Sequence, residues 1–445
     1  MIHSTCLRLQ LCRPEQAPRS SGSAHVPELR GACSGLRSLV ILLAIAALPG
    51  LPAEAEEWNR FRGPNGSGVS EATTVPVGWT EADFNWRIAL PGVGHASPVT
   101  WGERIFLVSG DEETGNRIVS CLDSTSGRVL WTRTFEAVTH RKHKLNSLAS
   151  STPAVDERGL YLCWATPDEY IVTATSLDGE PLWRVDLGGH KGGHGFGVSP
   201  IVSGDLLIVT NEQEGDSTLV ALDRRTGEQR WKVDRDTKSA YSTPCVFESE
   251  GRPAELIFTN WKQGITAIDL ASGRTSWEIS VFDQNHTETS IGSPVVADGL
   301  VFGTCGYLGY ATHTVAVRPG RRSDGRGEEV FRVDRGAPLT TTPLIARGLL
   351  FLWADNGIVT CVDAKTGEQQ WKKRVGGTYY ASPVAVGNAV YCASTSSEMV
   401  VLELSREYRE LSRSPILEAS QSSPAVSGGR MFVRTFSHLI SIGGE

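Results

Sequence analysis

An all-β, eight-bladed β-propeller with four-stranded blades, closed by its own N-terminal strand, is the fold this sequence predicts. Three observations predict it. A Ser/Thr-Pro pair followed by an apolar run recurs with its Pro at 98, 153, 200, 244, 294, 343, 383 and 424, at gaps of 40 to 55 residues, which is the period of a propeller blade. Within that period an Asp is followed four residues later by Gly and eight later by Trp, in LDSTSGRVLW (122–131), LDRRTGEQRW (222–231), IDLASGRTSW (268–277) and VDAKTGEQQW (362–371). Beyond residue 56 no stretch carries the 3.6-residue apolar period of a helix, whereas short apolar runs bounded by turn residues abound.

The chain begins with a leader. Residues 1–35 read as an N-terminal extension, long and polar for an export signal, and a start nearer Val26 or Leu36 fits better. Residues 39–48 (LVILLAIAAL) form the one long apolar run, preceded by Arg30 and Arg37 and followed by Ala53-Glu54-Ala55. That layout predicts a signal peptide over 36–55, cut near Ala55, and a periplasmic or secreted product with no transmembrane segment after cleavage. Pro49 and Pro52 argue against a buried helix there, and no Cys follows the run to take a lipid. Without the leader the chain carries 38 basic and 47 acidic residues, a balance that argues against nucleic acid as a partner.

Residues 56–445 are then one propeller domain. Each unit holds extended chain after the Ser/Thr-Pro, a turn, an apolar strand, a strand ending near Leu-Asp, and a Trp-bearing strand. Gly127, Gly227, Gly273 and Gly367 supply a left-handed turn residue. Asp123, Asp223, Asp269 and Asp363 can accept backbone N–H groups across that turn. Trp131, Trp231, Trp277 and Trp371, with Trp86 and Trp183 in the same slot, can cover a neighbouring sheet. The last unit, residues 423–442, has only three strands. The missing Trp-bearing strand is FNWRIAL (84–90), which closes the ring without a free edge.

Eight such units built on D-x-x-[ST]-G-x-x-x-W resemble the pyrroloquinoline quinone (PQQ)-like repeat propellers, which include quinoprotein alcohol dehydrogenases and BamB-like envelope proteins. WNRFRGPNGSGVS (58–70), NSLASSTPAV, GHGFGVSPIV and YSTPCVF are similar to a secreted BamB-like group of planctomycete type, and the resemblance covers residues 58–442. It implies the fold; activity varies within such families. The dehydrogenase branch implies PQQ, Ca²⁺ and a carboxylate base, with an adjacent-Cys disulfide walling the cofactor in one group. This chain has no adjacent Cys pair and no C-x-x-C-H haem motif, and its short gaps leave little room for walling insertions.

The loops entering each Ser/Thr-Pro strand gather at one channel mouth and carry His95, Asn146, His194, Tyr241, His286, Glu288, Thr340, Tyr379, Tyr380 and Gln421. Convergent polar and aromatic groups at such a mouth are candidate ligand-binding residues. Asp283, Asn285 and Glu288 in DQNHTE offer oxygen ligands for Ca²⁺. His190 and His194 lie in a Gly-rich run that cannot hold a zinc-binding helix. Cys121, Cys163, Cys361 and Cys392 sit in apolar runs and read as small buried residues. The expectation is an exported, monomeric, non-catalytic scaffold without cofactor, binding an envelope protein or a small-molecule or carbohydrate ligand. The alternative is a PQQ- and Ca-dependent oxidoreductase of alcohols or sugars.

Overall fold

The computed structural model describes residues 57–238, 240–282, 289–307, 312–320 and 325–444. These form eight antiparallel sheets in ring order, with no α-helix among the described residues. Blade I runs from the innermost strand Val99–Trp101 through Arg104–Gly110 and Arg117–Asp123 to the outermost Val129–Phe135. Blades II to VII repeat that order, with innermost strands Ala154–Val155, Ile201–Ser203, Cys245–Phe247, Val295–Ala297, Leu344–Ala346 and Val384–Val386. Blade VIII takes Ala425–Ser427, Arg430–Arg434 and His438–Gly443 from the C-terminal end of the chain and Phe84–Ala89 as its outermost strand. Trp86 pairs with Ser441 and Ile88 with Leu439, so the ring closes as the sequence predicts. Middle strands are buried on both faces because each blade is sandwiched between two others, while outer strands such as Gln229–Arg235 alternate exposed and buried residues.

The repeated Asp-Gly-Trp motif builds a joint between blades. Asp223 Oδ1 accepts the backbone N–H groups of Arg225 and Thr226 at 2.8 and 3.2 Å, and Gly227 closes the turn with φ 75°. The indole of the preceding blade lies flat over that glycine: a Cβ there would stand 2.7 Å from Trp183 Cε3, and one on Gly273 2.9 Å from Trp231 Cδ2. Each such indole also donates its N–H into the next blade: Trp86 to Ser124 O (3.3 Å), Trp131 to Leu177 O (3.0 Å), Trp183 to Arg224 O (3.1 Å), Trp231 to Leu270 O (3.0 Å) and Trp371 to Ser405 O (3.1 Å). Trp277 departs from the pattern and donates to Glu255 Oε2 of its own blade at 3.1 Å. In blade V Phe331 takes the Trp position, over Gly367.

The Ser/Thr-Pro pairs build a second repeated device at the hub. The backbone N–H of Ser97 donates to Thr152 Oγ1 (2.9 Å), that of Thr152 to Ser199 Oγ (3.0 Å), and so on through Thr243, Ser293, Thr342 and Ser382 until Ser423 donates to Ser97 Oγ at 3.1 Å. Except in blade VII the inner edge of a blade has no neighbouring strand, and the N–H ahead of each innermost strand needs another acceptor. A Ser or Thr hydroxyl from the next blade supplies it, and the Pro that follows brings no further donor.

One element lies outside the predicted pattern. Val69–Ser70 pairs in parallel with Val384–Val386 on the channel side of blade VII. The segment leading to it, residues 57–70, runs across the innermost strands. Trp58 exchanges bonds with Thr100 (both 3.0 Å), Asn59 O accepts from Val155 N–H, and the Asn65 amide pairs with the Val246 backbone at 2.7 and 2.8 Å. Arg62, fully buried, donates to Gly66 O, Ser67 O, Thr342 O and Pro343 O. The chain thus fills its own channel, touching blades I, II, IV, VI and VII.

Candidate functional site

At the Ser/Thr-Pro mouth three successive loops meet. Asn146, from the loop between blades I and II, donates through Nδ2 to His194 O (2.8 Å) and Phe196 O (3.2 Å) of the next loop, and accepts from Ser147 N–H. His143 N–H also reaches His194 O, which brings the two imidazoles to 5.2 Å between centres at a steep angle. Tyr241 Oη, from the third loop, stands 3.2 Å from His194 Nδ1. The loops that carry them hold no regular strand, so side chain-to-backbone bonds set their shape. His143 is the member that sequence reasoning missed; its place three residues before Asn146 was the available signal.

His95 sits half-buried beside Phe436, 6.0 Å between ring centres. Burial, helped by the Arg434 and Lys142 charges, pushes its pKa down to about 4, so the ring is neutral at pH 7. Burial also lowers the pKa of His140 and His190. An unfolded imidazole titrates near ~6.5. Below that pH the unfolded chain binds more protons, and stability falls as pH drops towards about 4. His95→Gln is therefore expected to reduce the stability lost between neutral and acidic pH by roughly 2 kcal/mol. Urea unfolding at pH 7 and at an acidic pH near 4.5 checks it; an unchanged loss would show that the ring is freely protonated.

Other predicted members fall elsewhere. Tyr379 has no exposed surface and packs edge-on against Trp353 at 5.2 Å inside the ring, while its neighbour Tyr380 is half-buried. Tyr379 is thus a packing residue and not part of the mouth. Thr340 is engaged by Asp355, at 2.7 Å from its hydroxyl. Gln421 is half-buried on the loop into blade VIII. Asp283, Asn285, His286 and Glu288 lie outside the described residues.

Ser437, His438 and Glu418 gather, but Ser437 Oγ (3.0 Å) and Glu418 Oε2 (3.5 Å) both meet His438 Nδ1, and Ser437 also donates to Glu418. A relay needs the two partners on different ring nitrogens; this trio clamps a turn. Among the described residues no three His, Cys, Asp or Glu side chains converge on a cation position. Cys121, Cys163, Cys245, Cys305, Cys361 and Cys392 are buried as free thiols. Asp283, Asn285 and Glu288, the oxygen ligands that the sequence offers for a cation, lie outside the described residues. The mouth offers hydrogen-bonding groups and ring faces, which suit recognition of polar or aromatic surfaces.

A second concavity opens at the opposite end of the channel. It measures about 620 Å³ and is lined by Arg60, Asn59 and Asn65 of the channel segment with Ser203 and Glu248 from the far ends of blades III and IV. Among the described residues no helix is long and apolar enough to cross a membrane.

Ring, joints and hub together define a class, the propellers of PQQ-like repeats. The family model for the outer membrane protein assembly factor BamB matches residues 115–323 and 323–443, and the chain belongs to that family. BamB of Moranella endobia (strain PCIT) is 25% identical over 259 residues, 51% of this chain and 60% of that protein. BamB of Yersinia pestis is 22% identical over half of this chain and 58% of its own length, so the chain spans under two thirds of the curated relatives it matches. A polyvinylalcohol dehydrogenase of Pseudomonas sp is 28% identical over 122 residues, 27% of this chain and 18% of that enzyme. Among solved structures, BamB from Moraxella catarrhalis superposes with a TM-score of 0.57 at 15% identity, covering 80% of this chain and 97% of its own. Quinohemoprotein alcohol dehydrogenase from Comamonas testosteroni gives 0.66 at 12% identity, over 87% and 80%. At such identities these likenesses show the fold alone.

Proposed function

We propose that this chain is an exported, non-catalytic propeller that binds an envelope protein at its Ser/Thr-Pro mouth, in the manner of an assembly scaffold. The observation that carries the reading is the mouth itself: His143, His194, Tyr241 and Asn146 are tied together across three loops by main-chain and side-chain hydrogen bonds. Such a surface suits docking, where preorganisation lowers the cost of association. Membership in the BamB family supports the same reading. Export rests on the apolar run at 39–48 and its Ala-Glu-Ala site.

A second reading, a PQQ-dependent oxidoreductase, is favoured by the fold likeness to the quinohemoprotein dehydrogenase. One experiment separates them. The purified exported chain is given PQQ and Ca²⁺ with alcohols or sugars and a redox dye, and in parallel is used to capture envelope proteins. Expected are no substrate-dependent dye reduction, and capture that His194→Ala or Tyr241→Ala weakens without lowering the melting temperature. Dye reduction that needs PQQ and disappears in Glu288→Gln or Asp283→Asn would establish the oxidoreductase instead.

A further inference from the structure

Among the described residues four arginines, Arg60, Arg62, Arg117 and Arg434, are buried without a carboxylate at ion-pair distance, and their hydrogen bonding differs. Arg117 donates to Gly115 O, and its Nε, like that of Arg434, has no partner. Arg62 donates four bonds to carbonyl oxygens. Arg434 donates to Ala96 O, Val108 O and Ser109 Oγ. Arg60, only 5% exposed, donates a single bond, from Nη2 to Pro244 O at 2.5 Å, and its buried Nε has no partner. A guanidinium carries five N–H donors, so most of those on Arg60 are unused. Burial pushes its pKa down to about 10, which still leaves it charged at neutral pH. A buried charge that lacks a pairing partner costs several kcal/mol, by order of magnitude.

Arg60 lines the 620 Å³ concavity at the far end of the channel. That volume lies within the ~300–1,000 Å³ range of small-molecule sites. Asn59 and the acidic Glu57 line it too, while Asn65 is held to the Val246 backbone and forms part of the same wall. Glu248 stands exposed at the rim.

We propose that this concavity is a binding site for a small oxyanion, carboxylate or phosphate, held by the guanidinium of Arg60 with the Asn59 amide beside it. The planar fork of a guanidinium matches two oxygens of either group. The site lies on the face opposite the histidine and tyrosine mouth, so its occupancy is independent of what docks there.

Titration calorimetry of the full folded chain with inorganic phosphate and separately with succinate, at constant ionic strength in chloride, tests the site. Saturable binding of either is expected, and which of the two binds identifies the oxyanion. Arg60→Gln, folded by circular dichroism, should lose that binding by at least tenfold. No saturable binding of either anion, or equal binding by folded Arg60→Gln, overturns the proposal. Should Arg60→Gln fail to fold, Glu248→Gln decides, because it removes a repelling rim charge without touching the core. Anion affinity should then rise about twofold to fivefold, and an unchanged or weaker affinity overturns the site.

Discussion

A chain lacking residues 57–90 is expected to aggregate where the full domain remains monomeric, and to lose most of its cooperative melting. The deletion strips Phe84–Ala89 from His438–Gly443, leaving a strand edge whose Leu439, Ile440 and Ile442 have no exposed surface in the intact ring. Such an edge templates intermolecular pairing. The same deletion removes Trp86 from its place over Gly127 and takes the bonds of Arg60 and Arg62 out of the hub. The loss should rival the whole stability of an ordinary domain, roughly 5–15 kcal/mol. Light scattering behind size exclusion and calorimetry report it. A monomer with unchanged melting would mean that the ring is not closed through this strand.

Gly227→Val should be strongly damaging, as should the same change at any of the repeated turns. At φ 75° a β-branched residue is strained, by roughly 1–3 kcal/mol. Its Cβ would also stand 2.7 Å from Trp183 Cε3 and 3.1 Å from Val185 Cγ2. Trp183 must then leave its dock and give up its bond to Arg224 O, so the total cost should reach roughly 3–5 kcal/mol. A double-mutant cycle separates the parts. With Trp183→Ala already present the steric part is gone, and Gly227→Val should cost only the backbone strain, roughly 1–3 kcal/mol. Additive costs in urea unfolding would show that glycine and indole do not form one joint.

The blade count and the closing strand were legible because both rest on periodicity: a Ser/Thr-Pro every 40 to 55 residues and one Trp strand displaced to the other end of the chain. The hub belt was visible only as spacing. That each hydroxyl answers its neighbour's N–H becomes evident when strands far apart in sequence are side by side, as with Ser423 and Ser97. The mouth was half legible. Asn146, His194 and Tyr241 come together, but Tyr379 and Tyr380 are adjacent in an irregular loop, and composition does not say which of two such neighbours turns inward. Residues 57–70 escaped because they belong to no blade; Trp58, Arg60 and Arg62 are buried at every second position as in a strand, but two of the three are arginines, a residue type that does not read as core.

That same segment constrains how the protein can assemble. It precedes every blade in chain order yet ends up enclosed by them, with Arg60 bonded across 184 residues to Pro244 and Arg62 across 280 to Thr342. Partners so distant in sequence must be found at high loop-closure cost, which makes folding slow. Blade VIII, which needs both Phe84–Ala89 and the last strand of the chain, can be completed only once the two ends of the domain have met.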